Sequence, residues 1–404
     1  STNLGSDFNA IQQNLEYSQR SLTNILLAGT HQLANQLLEL EWKLAPTLSK
    51  LEDPDIRFTR YRVSDDGRFS INSESGIPQR IWRDLEETNL AGRLDLTYDY
   101  TFLSYDAKIK FGGGHTRKER DYNIQNFTIN PQNTSLTGNP DELFFEENLW
   151  PTDDLGIAGV IFNPLFIPNN TNQFNSTINV SAGYFSNEAN LSERFKTILG
   201  LRVEQYTQNY TGLNQNNERF DNIRVLDDLD FFPTVNLVYA ITDNMNLRAS
   251  FAQTIARPSF KEASFATIID PLTGRTFIGG FFRDEDPQSG EVLWDGDLRK
   301  TTIQNFDLRW EMFQQRGQTI ALSGFYKKFV DPIEIVQYVT APNNFQPRNV
   351  GDGRVFGAEL EVRKTLSFIS QKLDNFTLIG NFTITDSQID MSEQELVYLS
   401  IIHI

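Results

Sequence analysis

The chain has 404 residues with 31 phenylalanines, no cysteine and a formal net charge of −17. The missing cysteines exclude a disulfide framework and a thiolate metal site, the scattered His31, His115 and His403 make no metal cluster, and the acidic excess opposes nucleic acid. No run of about 18 apolar residues is present, which excludes a transmembrane helix but leaves transmembrane strands open, since these need only about 9–11 residues with every second one apolar.

Residues 1–16 are polar and carry no expected element, and no basic n-region with an apolar h-region is visible among them, as expected of a mature chain or a piece of one. Strand text begins near Tyr17, turns around Gly29 to Gln32, and returns with Leu38, Leu40, Trp42 and Leu44 against Glu39, Glu41 and Lys43. Residues 45–91 read as a long loop because of Asp53-Pro54, Asp65-Asp66-Gly67 and Gly76-Ile77-Pro78. Leu94, Leu96, Tyr98, Tyr100 and Phe102 then alternate with Arg93, Asp95 and Asp99, and a tight connection near Ser104 leads back through Ala107, Ile109 and Phe111. Gly112-Gly113-Gly114 reads as a bulge or strand end, because no strand-to-helix turn with a phosphate-binding lysine follows it.

An irregular, proline-rich region covers 130–176, followed by strands near 177–187 and 195–208 and a loop at 209–229. Residues 231–241 and 246–257 form a hairpin that Pro258 ends, since proline cannot donate to a ladder. After a loop to 300 comes the most regular stretch, 301–330. Phe306, Leu308, Trp310 and Met312 fall on one face there, Asn305, Asp307, Arg309 and Glu311 fall on the other, and Gln314 to Gly317 turns the chain. The region 331–352 reads as a loop, and the last strands carry Phe356, Leu360 and Val362, then Phe376, Leu378, Phe382 and Ile384.

About twelve strands emerge, of near membrane-spanning length, with short and long connections alternating. That pattern predicts an all-β, antiparallel transmembrane outer-membrane β-barrel, with oily faces toward lipid and ionic faces toward a lumen. Arg248, Asp307, Arg309, Glu311, Glu359, Glu361 and Arg363 are the expected lumen-lining charges, and Trp42, Tyr98, Tyr100, Trp310 and Tyr326 are candidates for interfacial girdles. Short turns on the periplasmic side would leave both ends of the chain outside, so residues 1–404 are expected to be an internal piece of a longer barrel. No nucleophile, base and orienting group fall in a catalytic pattern, so no enzyme activity is expected. No cofactor is expected either; Asp284, Glu285, Asp286, Asp295 and Asp297 offer carboxylates for a loop Ca²⁺ but lack EF-hand spacing. Trp150, Phe162, Phe166, Phe277, Phe281, Phe282 and Trp294 give the long loops an aromatic character suited to ligand binding or to packing within the loops.

Several segments carry a resemblance. Leu247-Arg248-Ala249-Ser250-Phe251 with Ala256-Arg257-Pro258-Ser259-Phe260 and Glu262 is similar to text in TonB-dependent outer-membrane receptors, especially those of Bacteroidetes. Gly296-Asp297-Leu298-Arg299 with Asn305-Phe306-Asp307 and Trp310-Glu311 resembles the family's following segment, without its proline before the leucine. Gly324-Phe325-Tyr326-Lys327, Asp331-Pro332-Ile333 and Gly357-Ala358-Glu359-Leu360-Glu361 resemble later barrel segments, and Phe111-Gly112-Gly113 with Arg117, Lys118 and Arg120 also fits. The resemblance implies a plugged barrel of about 22 strands, seated in outer-membrane lipid and importing a scarce, unidentified small nutrient with energy passed through TonB. No plug and no TonB-contact segment is recognisable here, so contact with the TonB complex would run through a plug absent from this chain. A surface lipoprotein is a further partner the resemblance allows. A non-transporting, receptor-like subunit of an outer-membrane complex is the alternative, and a soluble all-β adhesin or carbohydrate-binding protein is the third reading.

Overall fold

In a computed structural model of the chain, residues 9–390 are described apart from 72–75, 166–169, 271, 272, 274, 287, 339 and 340. Among the described residues there is no α-helix, and one large antiparallel sheet dominates. Its first strand, β1, consists of three segments, Asn9–Leu15, Gln19–Asn24 and Leu27–Leu33, all paired to successive parts of the next. The strands that follow are β2 (Leu38–Val63), β3 (Gln79–Phe102), β4 (Tyr105–Gln132), β5 (Phe174–Asn190), β6 (Phe195–Leu213) and β7 (Arg219–Thr242). Then come β8 (Met245–Ala256), β9 (Thr301–Gln314), β10 (Gln318–Val330), β11 (Gly353–Thr365) and β12 (Thr377–Ile389). Each wall strand pairs with its sequence neighbours, so the twelve positions expected from the alternation are present in order. Among the described residues no pairing joins β1 to β12.

Register fixes the faces. Phe251, Phe306, Tyr326 and Phe356 are successive cross-strand partners on one face, and Phe251 and Phe306 touch at 4.9 Å between ring centroids. Leu308 on that face is 54% exposed, and Leu94, Phe185, Leu201, Phe231, Leu322 and Phe382 are likewise exposed around the wall. An apolar belt left uncovered on every strand is what hydrocarbon, rather than water, would cover. The opposite face carries the charges.

The wall is taller over its first half. Strands β2, β3, β4 and β7 have 26, 24, 28 and 24 residues, whereas β8 to β12 have only 12 to 14. Since about 9–11 residues cross a membrane, the tall strands stand well above it. On their upper parts the outer face turns polar, as at Glu52, Asp84, Glu86, Glu119 and Asp121.

Several sequence expectations are corrected here. The loop expected at 45–91 is strand for most of its length: Asp53-Pro54 marks a one-residue register shift between Asp53 and Ile56, after which β2 continues with its faces exchanged. Strand β2 ends at Val63 and β3 begins at Gln79, and of the described residues between them Phe69–Ser70 form a two-residue strand. Likewise 209–229 is nearly all strand, with register shifts near Gln208 and Tyr210 breaking the period, and only 214–218 turns. Residues 9–15, expected to be featureless, form part of β1. The first hairpin turns at Ala34, Asn35 and Gln36, all with positive φ, and not at Gly29. Gly29 lies inside the strand because the Trp42 indole covers it so closely that a Cβ would meet its ring at 2.4 Å. Gly112 to Gly114 are neither bulge nor strand end: they sit in mid-β4, where a Cβ on Gly112 would meet the Tyr184 ring at 2.8 Å.

The loops expected at 257–300 and 331–352 contain short strands. Thr267–Asp270, Arg275–Ile278, Asn344–Asn349 and Ile333–Gln337 form a four-stranded mini-sheet, in which the two loops join by a parallel pairing. Asp284–Glu285 pairs with Val292–Trp294 beside it.

Candidate functional site: the lumen and its mouth

The inner face of β8 to β11 is a ladder of charge. Partner pairs Arg248 with Arg309, Ser323 with Arg309 and Glu359, Ala321 with Glu311 and Glu361, and Thr319 with Arg363 place all seven expected lumen charges on one face, with Asp307 opposite Ser250. Glu311, 5% exposed, accepts from Arg248 at 2.5 Å, from Arg309 at 3.2 Å and from Asn246 at 3.2 Å. Arg309 also reaches Glu361 at 2.9 Å and Ser323 at 3.1 Å. The ladder therefore unites Arg248, Arg309, Glu311 and Glu361. Asp307 accepts from Ser250 at 3.3 Å, while Glu359 and Arg363 lie on the same face.

A second constellation sits higher, where β8 ends. Arg257, the first residue after Ala256, bridges Glu204 at 2.9 Å and Asp230 at 2.7 Å, and its guanidinium lies 4.6 Å over the Tyr206 ring. Lys300, just before β9, binds Asp228 at 2.9 Å and Asp230 at 2.5 Å. The entry and exit of the 257–300 excursion are thus tied to β6 and β7 by shared carboxylates. Pro258 ends the strand, and Ser259 and Glu262 satisfy each other's backbone: Ser259 N–H donates to the Glu262 carboxylate at 2.7 Å and Glu262 N–H to Ser259 Oγ at 3.3 Å. Residues expected only as part of a motif, Arg257, Ser259 and Glu262, are the ones that fix this fold-back.

The excursion then turns inward. Phe260 packs with Ile178 and Tyr206, and Ala266 and Phe265 join Phe58, Tyr122, Ile124, Phe174 and Tyr210 on the inner face of the tall wall. Gln208 Nε2 donates to Ala263 O at 3.4 Å. Phe265 is the hub of an aromatic group with Phe220, Tyr210, Phe281 and Phe282. Phe277 carries the Lys261 ammonium 3.9 Å over its ring, and Trp294 Nε1 donates to Gly280 O at 2.7 Å. Of the expected loop aromatics, Phe277, Phe281, Phe282 and Trp294 therefore belong to one cap, in which Phe281 and Phe282 meet on Phe265, Phe277 lies under Lys261 and Trp294 holds the Gly280 carbonyl. Trp150 belongs to a different excursion, and Phe166 lies outside the described residues.

The mini-sheet is held by polar groups. Buried Gln346 donates to Gly279 O at 3.1 Å and Phe282 O at 2.8 Å, and Arg348 reaches Asp284 at 2.5 Å. Burial raises the Tyr338 phenol to about 12 and raises the Glu334 carboxyl above its ordinary value. The loop carboxylates considered for Ca²⁺ have other occupations: Asp284 binds Arg348, Glu285 binds Arg283, Asp297 binds Arg299, and Asp286 caps the N–H groups of Gln288 and Ser289 at 2.8 Å each. Those N–H groups hold the Asp286 carboxyl below the usual range. Among the described residues no group of three or more possible ligands is arranged for a metal ion.

The excursion between β4 and β5 takes the opposite side. Its strand Gly159–Pro164 pairs with 127–132 of β4, and Leu143 and Val160 pack with Tyr61 and Ile129, whose side chains lie on the outer face above the belt. Glu142 is caged by Tyr61 Oη at 2.8 Å, Thr137 N at 2.8 Å and Gly138 N at 3.1 Å. One excursion covers the mouth from within, and the other braces the wall from outside.

An antiparallel sheet with an apolar outer belt, a charged inner face and a tall rim defines the wall of an outer-membrane β-barrel. The family description "TonB dependent receptor-like, beta-barrel" matches residues 13–399, and the chain belongs to this family of bacterial outer-membrane proteins. Similar solved structures include the FpvAI–pyocin S2 complex (14% identity, TM-score 0.55, 91% of this chain and 41% of that one). The ferric-catecholate import receptor Fiu from E. coli K12 follows at 12% identity and TM-score 0.54, covering 95% and 50%, and the unliganded ferric citrate transporter FecA at 10% and 0.53, covering 96% and 55%. The chain thus spans about half the length of these structures, and at such identities the likeness concerns the fold. Among curated proteins no sequence relative matches.

Proposed function

We propose that residues 1–404 are the central wall of a longer, plugged barrel that imports a scarce nutrient across the outer membrane by a TonB-driven step. The observation that carries this reading is the pairing of a charged inner face with an inward-folded aromatic cap. A wall serving only to hold a complex together needs no ladder of ion pairs facing a lumen, whereas a conduit occupied by water or a plug does. In this reading Phe277, Phe281, Phe282 and Trp294 form the ligand-facing part of the mouth, and Arg248, Asp307, Arg309, Glu311, Glu359, Glu361 and Arg363 line the path below. Ferric siderophores and ferric citrate, named for the similar structures, are first candidates for a screen.

The test is uptake of a labelled panel of ferric catecholates, ferric citrate, copper and peptides by cells carrying the full-length receptor, with and without TonB. Accumulation of at least one compound that requires both receptor and TonB is expected. Uptake unaffected by either deletion across the panel would leave the non-transporting reading standing.

A further inference from the structure

The outer excursion ends in an exposed apolar tip that the import reading does not use. Leu155 is 79% exposed, Ile157 54% and Trp150 49%, and the three are contiguous because Trp150 Nε1 donates to Gly156 O at 2.9 Å. The tip is a built turn. Asp153 accepts from Ile157 N–H at 2.9 Å and Ala158 N–H at 3.2 Å, Gly156 N–H donates to Asp153 O at 3.1 Å, and Thr152 N–H to Ala158 O at 2.9 Å. A turn locked by four hydrogen bonds presents its side chains at low ordering cost, which is the property of a binding anchor.

Charge decides what could cover it. Residues 133–173 contain Asp141, Glu142, Glu146, Glu147, Asp153 and Asp154 and no Lys, Arg or His. Glu146 and Glu147 are exposed just ahead of Trp150 in the chain, and Asp154 is exposed within the turn itself. An anionic rim is repelled by an anionic lipid surface. It is equally repelled by a second copy meeting it in an isologous contact, where the same carboxylates would face each other in a chain already at −17. The complementary occupant is a protein surface with an apolar pocket ringed by Lys or Arg. We propose that the Trp150–Ile157 tip docks such a partner protein beside the barrel, on its outward side and away from the mouth.

The test places a photo-cross-linking phenylalanine at Ile157 in the full-length receptor in native outer membranes, with Asn217, on another loop, as the control position. The expected product is one near-stoichiometric protein adduct whose cross-linked peptide is rich in Lys or Arg and whose yield falls with rising salt. Adding Leu155→Ser or Trp150→Ala should lower that yield about tenfold, with heat-modifiable gel migration unchanged as the check on folding. Adducts only with lipopolysaccharide or phospholipid, adducts only with a second copy, a yield equal to the Asn217 control, or a yield insensitive to Leu155→Ser would each overturn the proposal.

Discussion

At Arg257 one guanidinium serves two strands, and its removal is a test of how the inner face is held. Glu204 and Asp230 are largely buried, with side chains 13% and 7% exposed, so Arg257→Ala removes one of the two cations on each, Arg202 remaining on Glu204 at 2.7 Å. Lys300 still holds Asp230, which moderates the loss. We expect a cost of about 2 kcal/mol, seen as a lower unfolding midpoint of the full receptor in detergent. Arg257→Lys should recover only part of it, because an ammonium cannot reach both carboxylates in a fork or lie flat over Tyr206. An unchanged midpoint in Arg257→Ala would show the bridge to be ornamental. The sequence exposed Arg257 only as a letter in a family-like motif. Its partners lie 53 and 27 residues upstream, a distance that alternation within a strand does not encode.

Among the elements, the mini-sheet over the mouth carries a pH dependence. Burial raises the Glu334 carboxyl above its ordinary value, so protonation is more favourable in the folded than in the unfolded state. The sign follows directly: this group's contribution to stability is complete below its unfolded pKa and is lost as pH rises through the raised folded value. The protection of the Val336 amide should therefore be lower at neutral pH than at acidic pH, and Glu334→Gln should remove that difference. Equal protection in the two proteins at neutral pH would contradict the assignment. The mini-sheet itself was illegible in the sequence, since its pairing of Thr276–Phe277 with Asn344–Phe345 joins two excursions across two wall strands. The wall hairpins were legible because one face of each is apolar and period two is strict, as in Phe306 to Met312. Legibility failed where the strands leave the membrane: in β2 above Asp53 and in β6 and β7 beyond Gln208, bulges exchange the faces and the outer side turns polar, so the alternation no longer marks a strand.

For the whole molecule, the two excursions divide the work of a rim that is tall on one side. The inner one fills the space above the shorter strands β8 to β12 and packs against the tall β2 to β7, while the outer one braces the same tall wall and ends in the exposed Trp150–Ile157 tip. Everything rests on the assignment of one face to lipid and the other to an aqueous lumen. Residues 1–404 hold no cysteine, so single cysteines placed along β9 meet no competing thiol within this stretch. Spin labels at 305 to 311 in the full receptor, in bilayers, should alternate in accessibility. Positions 306, 308 and 310 should collide with oxygen dissolved in lipid, and 305, 307, 309 and 311 should show low oxygen collision and, where the lumen is wet, contact with a water-soluble nickel chelate. Equal accessibility to the nickel chelate at 306, 308 and 310, or a period near 3.6, would contradict the barrel-wall account.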